Sequence, residues 1–99
     1  MEITLQYFDG CPNWKIAAAR LAEIVQDRPE MTVTPLLVET PEQADAVGFR
    51  GSPSMVVDGS DLFPDQNSMV GLACRIYATP DGPAGSPTVN QLRTALRVT

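Results

Sequence analysis

Histidine is absent from this chain of 99 residues, and cysteine occurs only twice. Without imidazole there is no Cys–His nucleophile pair, no His-based metal site and no side chain that ordinarily titrates near neutral pH. Two thiols are too few for a closed zinc site, which takes four ligands, so neither a metal nor another cofactor is expected. Basic residues are scarce: seven Lys and Arg stand against twelve Asp and Glu, a formal charge of −5. That balance argues against nucleic acid and against an anionic membrane as partners. Apolar runs fall far short of the roughly twenty residues a spanning helix needs. The opening Met1-Glu2-Ile3-Thr4 lacks the basic stretch of a secretory leader and reads as the start of a strand. The expected compartment is therefore the cytoplasm, where thiols are held reduced and a permanent structural bridge is not expected. The length suits one domain, residues 1–99, with one modest core.

Against those absences, Cys11 stands out. It follows the β-prone run Ile3-Thr4-Leu5-Gln6-Tyr7-Phe8 through the tight segment Asp9-Gly10, and Pro12 comes next. An amphipathic pattern then begins, with Trp14, Ala17, Ala18, Leu21, Ile24 and Val25 at helical spacing. Pro suits the first helical turn, where its missing N–H has no partner to lose. A thiol at such a junction meets unpaired backbone N–H groups and the positive end of the helix dipole. Both favour the thiolate, the form that attacks disulfides, so Cys11 is expected to be an exposed, activated thiol. Three residues on, where a Cys-x-x-Cys motif places its second thiol, the chain carries Trp14. Cys11 cannot close the short disulfide loop of that motif.

The pattern predicts a strand over 2–8, a helix over 12–27 and a strand over 31–39, the last carrying Pro35 and so at an edge or bulged. Thr40-Pro41-Glu42-Gln43 starts a short helix through a capping box, and Gly48 stops it. Met55-Val56-Val57 is a strand, and Asp58-Gly59 is the strongest hairpin turn in the chain. The returning strand is either Asp61-Leu62-Phe63 or Leu72 to Tyr77. Residues 64–72 and 79–87 read as loops, and Thr88 to Val98 as a final helix with a second capping box at Thr88 and Gln91. The order is βαβα, then a β-hairpin, then a helix, which predicts a mixed α/β sheet covered by helices on both faces.

Three pieces of this chain resemble the thioredoxin-like superfamily: Tyr7-Phe8-Asp9-Gly10-Cys11-Pro12 at the strand-to-helix junction, Gly51-Ser52-Pro53-Ser54 just before a strand, and the hairpin through Asp58-Gly59 followed by a C-terminal helix. The resemblance implies a three-layer sandwich around a mixed four-stranded sheet. It implies that Cys11 is the nucleophile of a thiol oxidoreductase and that Pro53 is a cis-proline facing it. Ser52 would offer backbone groups to an extended substrate, with Pro12 and Trp14 beside the thiol. Trp14 in place of a second cysteine makes this a monothiol, glutaredoxin-like variant. Its partner would be a disulfide or thiol, on a protein or a small molecule. Cys74 is a distant resolving thiol if residues 61–63 form the returning strand, and structural if 72–77 do. The alternatives are a redox-inactive binding module that keeps the fold as a scaffold, and capture of a soft metal ion by Cys11 and Cys74.

Overall fold

The strand β1, Glu2–Tyr7, is the centre of the molecule in the computed structural model, which describes residues 1–64 and 70–96. Ile3 and Leu5 are buried on one of its faces, with the period of two that a strand imposes. Helix α1, Asn13–Gln26, supplies the complementary stripe: Ala17, Leu21 and Ile24 recur at helical spacing and are buried. The next strand, β2, covers Thr32–Leu37 and pairs parallel with β1. It lies at the edge of the sheet, as Pro35 requires of a residue that has no N–H to donate.

Helix α2, Pro41–Val47, begins at the predicted capping box: Thr40 Oγ1 accepts from the Gln43 N–H at 3.1 Å, and Gln43 Oε1 accepts from the Thr40 N–H at 3.2 Å. Gly48 closes it in the left-handed conformation, φ 66°. Strand β3, Ser54–Val57, runs antiparallel to β1. The turn at Asp58 (φ 53°) and Gly59 (φ 80°) returns the chain as β4, Ser60–Asp61. The mixed sheet therefore has the order β2-β1-β3-β4. Of the two candidates for its fourth strand, the one following the turn is correct, though it is shorter than 61–63 and begins one residue earlier.

One expectation needs correction, and one open alternative closes. Residues 79–87 are not wholly a loop: β5, Tyr77–Thr79, and β6, Gly82–Ala84, form a separate hairpin. Leu72 to Tyr77 is not a strand of the main sheet, since only Tyr77 belongs to a strand and its partner is Ala84. Pro80 and Pro83 hid this pairing, but the short hairpin holds Pro83 without needing an N–H from it. The last helix, α3, covers Val89–Leu96 and carries its predicted cap, Thr88 Oγ1 accepting from the Gln91 N–H at 3.1 Å. Arg97 and Val98, which the sequence assigns to this helix, lie outside the described residues, as does 65–69 of the expected loop.

The main core joins Ile3, Leu5 and Met55 of the sheet to Leu21 and Ile24 of α1 and to Leu92 and Leu96 of α3. Each of the fully buried side chains stabilises the fold by about 1.5–3 kcal/mol through removal from water. Helix α2 contributes Ala44 to a smaller cluster with Val38 and Phe49. The architecture is thus mixed α/β, with a four-stranded mixed sheet and three helices among the described residues. No helix among them is long and apolar enough to cross a membrane.

Candidate functional site

Cys11 sits where β1 hands over to α1. The Cys11 N–H donates to Phe8 O at 3.1 Å, which closes the turn that reverses the chain. Gly10 lies under the Phe8 ring in that turn, and a Cβ there would lie 2.6 Å from the ring and push it aside. Pro12, exposed to solvent, is the N-cap residue of α1, with helical φ −72° and ψ −10°, and no side chain caps the first turn. The N–H groups that open α1 therefore lack a side-chain acceptor, and no acidic residue occupies the first turn.

The sulfur is not an exposed thiol. Cys11 is 1% exposed and forms a disulfide with Cys74, their Cα atoms 5.7 Å apart and 63 positions apart in sequence. That separation lies inside the range a disulfide demands. The expectation of an exposed anion at residue 11 fails because the sulfur is bonded to Cys74 and lies against Ser52 O, neither of which the local sequence around Cys11 announces. Cys74 is itself solvent-exposed, so one sulfur of the pair is buried and the other residue faces solvent.

The covering segment is bound to the loop before β3. Gly71 N–H donates to Phe49 O at 3.0 Å, Ser52 N–H to Ala73 O at 2.8 Å, and Arg75 N–H to Ser52 O at 2.9 Å. Ser52 and Cys74 thereby form an isolated parallel bridge. Gly51 makes the approach possible. Its φ is +111°, and a Cβ there would lie 3.0 Å from the Arg75 Cβ and 3.2 Å from Ala73 O. The Ser52–Pro53 peptide is cis, and both residues are fully buried. Ser52 was expected to present its backbone to a substrate. In this structure both of its backbone groups are engaged by the chain's own residues 73 and 75. Cys11 Sγ lies 3.8 Å from Ser52 O, a contact that becomes a hydrogen bond only when the sulfur carries a proton.

Arg75 anchors the segment, and nothing in the sequence reading singled it out. Its side chain is 5% exposed and forms a forked ion pair with Asp61, Nη1–Oδ2 2.7 Å and Nη2–Oδ1 3.3 Å. Nη1 also donates to Ser54 Oγ at 3.0 Å, and Nη2 donates to Phe63 O. The guanidinium lies 4.8 Å from the centre of the Tyr77 ring. Ser54 Oγ in turn donates to Gly51 O at 2.5 Å, and Tyr77 O–H donates to Pro53 O. Burial pushes the Tyr77 hydroxyl well above its ordinary value near 10, and the neighbouring Arg75 charge only partly offsets it. A buried guanidinium is tolerated only when its donors are paired. The signal available in the sequence was an arginine inside the apolar run Leu72 to Tyr77, with Asp61 just past the hairpin turn as its counter-ion.

Trp14 lies to one side of this arrangement. Its ring stacks on Tyr7 at 4.4 Å between centroids, and with Leu5, Ala18, Val25 and Met31 it lines an apolar groove of about 480 Å³ between α1 and β2. The ring is half-buried, and its Nε1 has no hydrogen-bond partner among the described residues. No cluster of three or more metal-ligating side chains occurs among the described residues. Comparison with known proteins returned no matching family model, no matching characterised protein and no matching solved structure.

Proposed function

We propose that this chain is a small thiol–disulfide oxidoreductase of thioredoxin-like fold, acting through the Cys11–Cys74 pair rather than through a Cys-x-x-Cys motif. The observation that carries the proposal is a disulfide with one buried and one exposed member, set at a strand-to-helix junction against the Ser52–Pro53 segment. A bridge with a solvent-facing member is more open to exchange with other thiols than one sealed on both sides. The uncapped start of α1 further supports it, because Cys11 stands two residues before the helix and the positive end of a helix dipole favours an anion there. The cytoplasm, with its thiol pool, is the compartment that suits this chemistry.

The test is turnover. Oxidised protein in a glutathione buffer should accelerate exchange of a small mixed disulfide, such as that of glutathione with 2-mercaptoethanol. Cys11→Ser and Cys74→Ser should each lose the dithiol reaction. Wild-type protein with no rate above the buffer alone contradicts the proposal.

One observation favours a second reading. Cys11, Ser52 and Pro53 are all buried, which also suits a redox-inactive scaffold fastened by a bridge. That scaffold would keep its disulfide in a glutathione buffer for as long as it stayed folded.

A further inference from the structure

We infer that Cys74, not Cys11, is the sulfur that an incoming thiolate attacks, and that Cys11 is the buried leaving and resolving sulfur. This rests on the oxidoreductase proposal and reverses the roles that chain order suggests. Thiol–disulfide exchange needs a nearly linear approach, with the nucleophile behind the attacked sulfur and the leaving sulfur ahead of it. At Cys11 that approach is closed, because the residue is 1% exposed and lies against Ser52 O. At Cys74 the residue is open to solvent. Attack there pushes the electron pair onto the sulfur at the head of α1, where uncapped N–H groups favour negative charge.

The electron and atom balance is simple. A thiolate RS⁻ bonds to Cys74 Sγ, the Cys11–Cys74 bond breaks, and Cys11 departs with the pair as a thiolate. A second RS⁻ attacks the R sulfur, forming RSSR and releasing Cys74 as a thiolate. The protein disulfide is reduced by two electrons and two thiols are oxidised to one disulfide. In the opposite direction Cys74 attacks a substrate disulfide, and Cys11 displaces the substrate from Cys74.

The substrate class follows from the occupied backbone. The Ser52 N–H and C=O are both held by residues 73 and 75, so the oxidised protein offers no strand edge there for an extended peptide. The matching partner is a thiolate that reaches Cys74 from solvent, without main-chain pairing at Ser52. Arg75 keeps this geometry after the bond opens. Its forked contact with Asp61 holds Cys74 on the Ser52 bridge, within reach of Cys11 for the second step.

The experiment is to mix oxidised native protein with glutathione, quench with acid within the first turnover, and map the glutathione adduct by peptide mass spectrometry. The adduct is expected on Cys74 over Cys11 by about tenfold or more, reflecting unequal access. Because cysteine variants can lose the fold, this wild-type result stands alone. Where they do fold, Cys11→Ser should accumulate a stable adduct with glutathione disulfide, and Cys74→Ser should react much more slowly. An adduct mainly on Cys11, equal adducts, or none at either sulfur in folded protein overturns the assignment. A Cys74 adduct without turnover in the exchange assay leaves the assignment standing and removes the oxidoreductase proposal.

Discussion

The two cysteines belong to regions held together by different forces. Cys11 is carried by β1 and α1, whose apolar stripes meet in the main core. Cys74 is carried by a segment outside the main sheet, held by the disulfide, three backbone hydrogen bonds and the buried Arg75. The first cysteine is placed by the β1–α1 framework, whose core includes neither member of the disulfide. Polar and covalent ties fix the second, and one of those ties is the bond that the proposed chemistry would break. A site divided in this way can open on one side while the framework beneath it stays in place.

The comparison can be broken most forcefully at the covalent tie. Reduction of the disulfide should lower stability by about 4 kcal/mol, the chain-entropy expectation for so long a closed loop. Urea midpoints of oxidised and reduced protein measure it, and a negligible difference would mean that the segment needs no bridge. On the framework side, Leu21→Ala should cost about 3 kcal/mol by opening a cavity in the core. That loss should be equal in both oxidation states, whereas a loss confined to one would tie the core to the disulfide.

Arg75→Met comes next, at about 2 kcal/mol. Breaking a fully buried pair costs more, but Asp61 is 20% exposed and can recover water. The distinguishing result is faster alkylation of Cys74 in the reduced variant, with Leu21→Ala as the control that should not show it. Tyr77→Phe is the mildest, at about 1 kcal/mol for the hydrogen bond to Pro53 O. Because burial raises the folded-state Tyr77 value above its ordinary 10, its contribution is complete below that pH and is lost as pH rises beyond it. The variant should show a shallower alkaline decline in stability than wild type.

The same division decides what the sequence could tell. The α1 stripe, the Thr40 and Thr88 caps and the Asp58-Gly59 turn were legible because each is a local pattern with a local cause. The position of Cys11 at the end of β1 was legible for the same reason. Its burial was not, since the sulfur's partners, Cys74 and Ser52 O, lie 63 and 41 positions away. Pro53 was singled out by motif, but the engagement of the Ser52 backbone by residues 73 and 75 depends on a pairing with no periodicity to betray it. Arg75 is hidden inside an apolar run, although a charge there implies a buried counter-ion. The β5–β6 hairpin was obscured by its prolines and by its strands of three residues each.

The proposed chemistry requires that the Cys11–Cys74 bond open and close within the folded protein. Native protein equilibrated across a series of glutathione redox buffers, with thiols trapped by acid and counted by mass, tests it most directly when circular dichroism is followed in parallel. One reversible two-electron transition is expected, with the far-ultraviolet spectrum unchanged. A bond that stays closed in every buffer until denaturant is added, or a fold that is lost together with the bond, would contradict it.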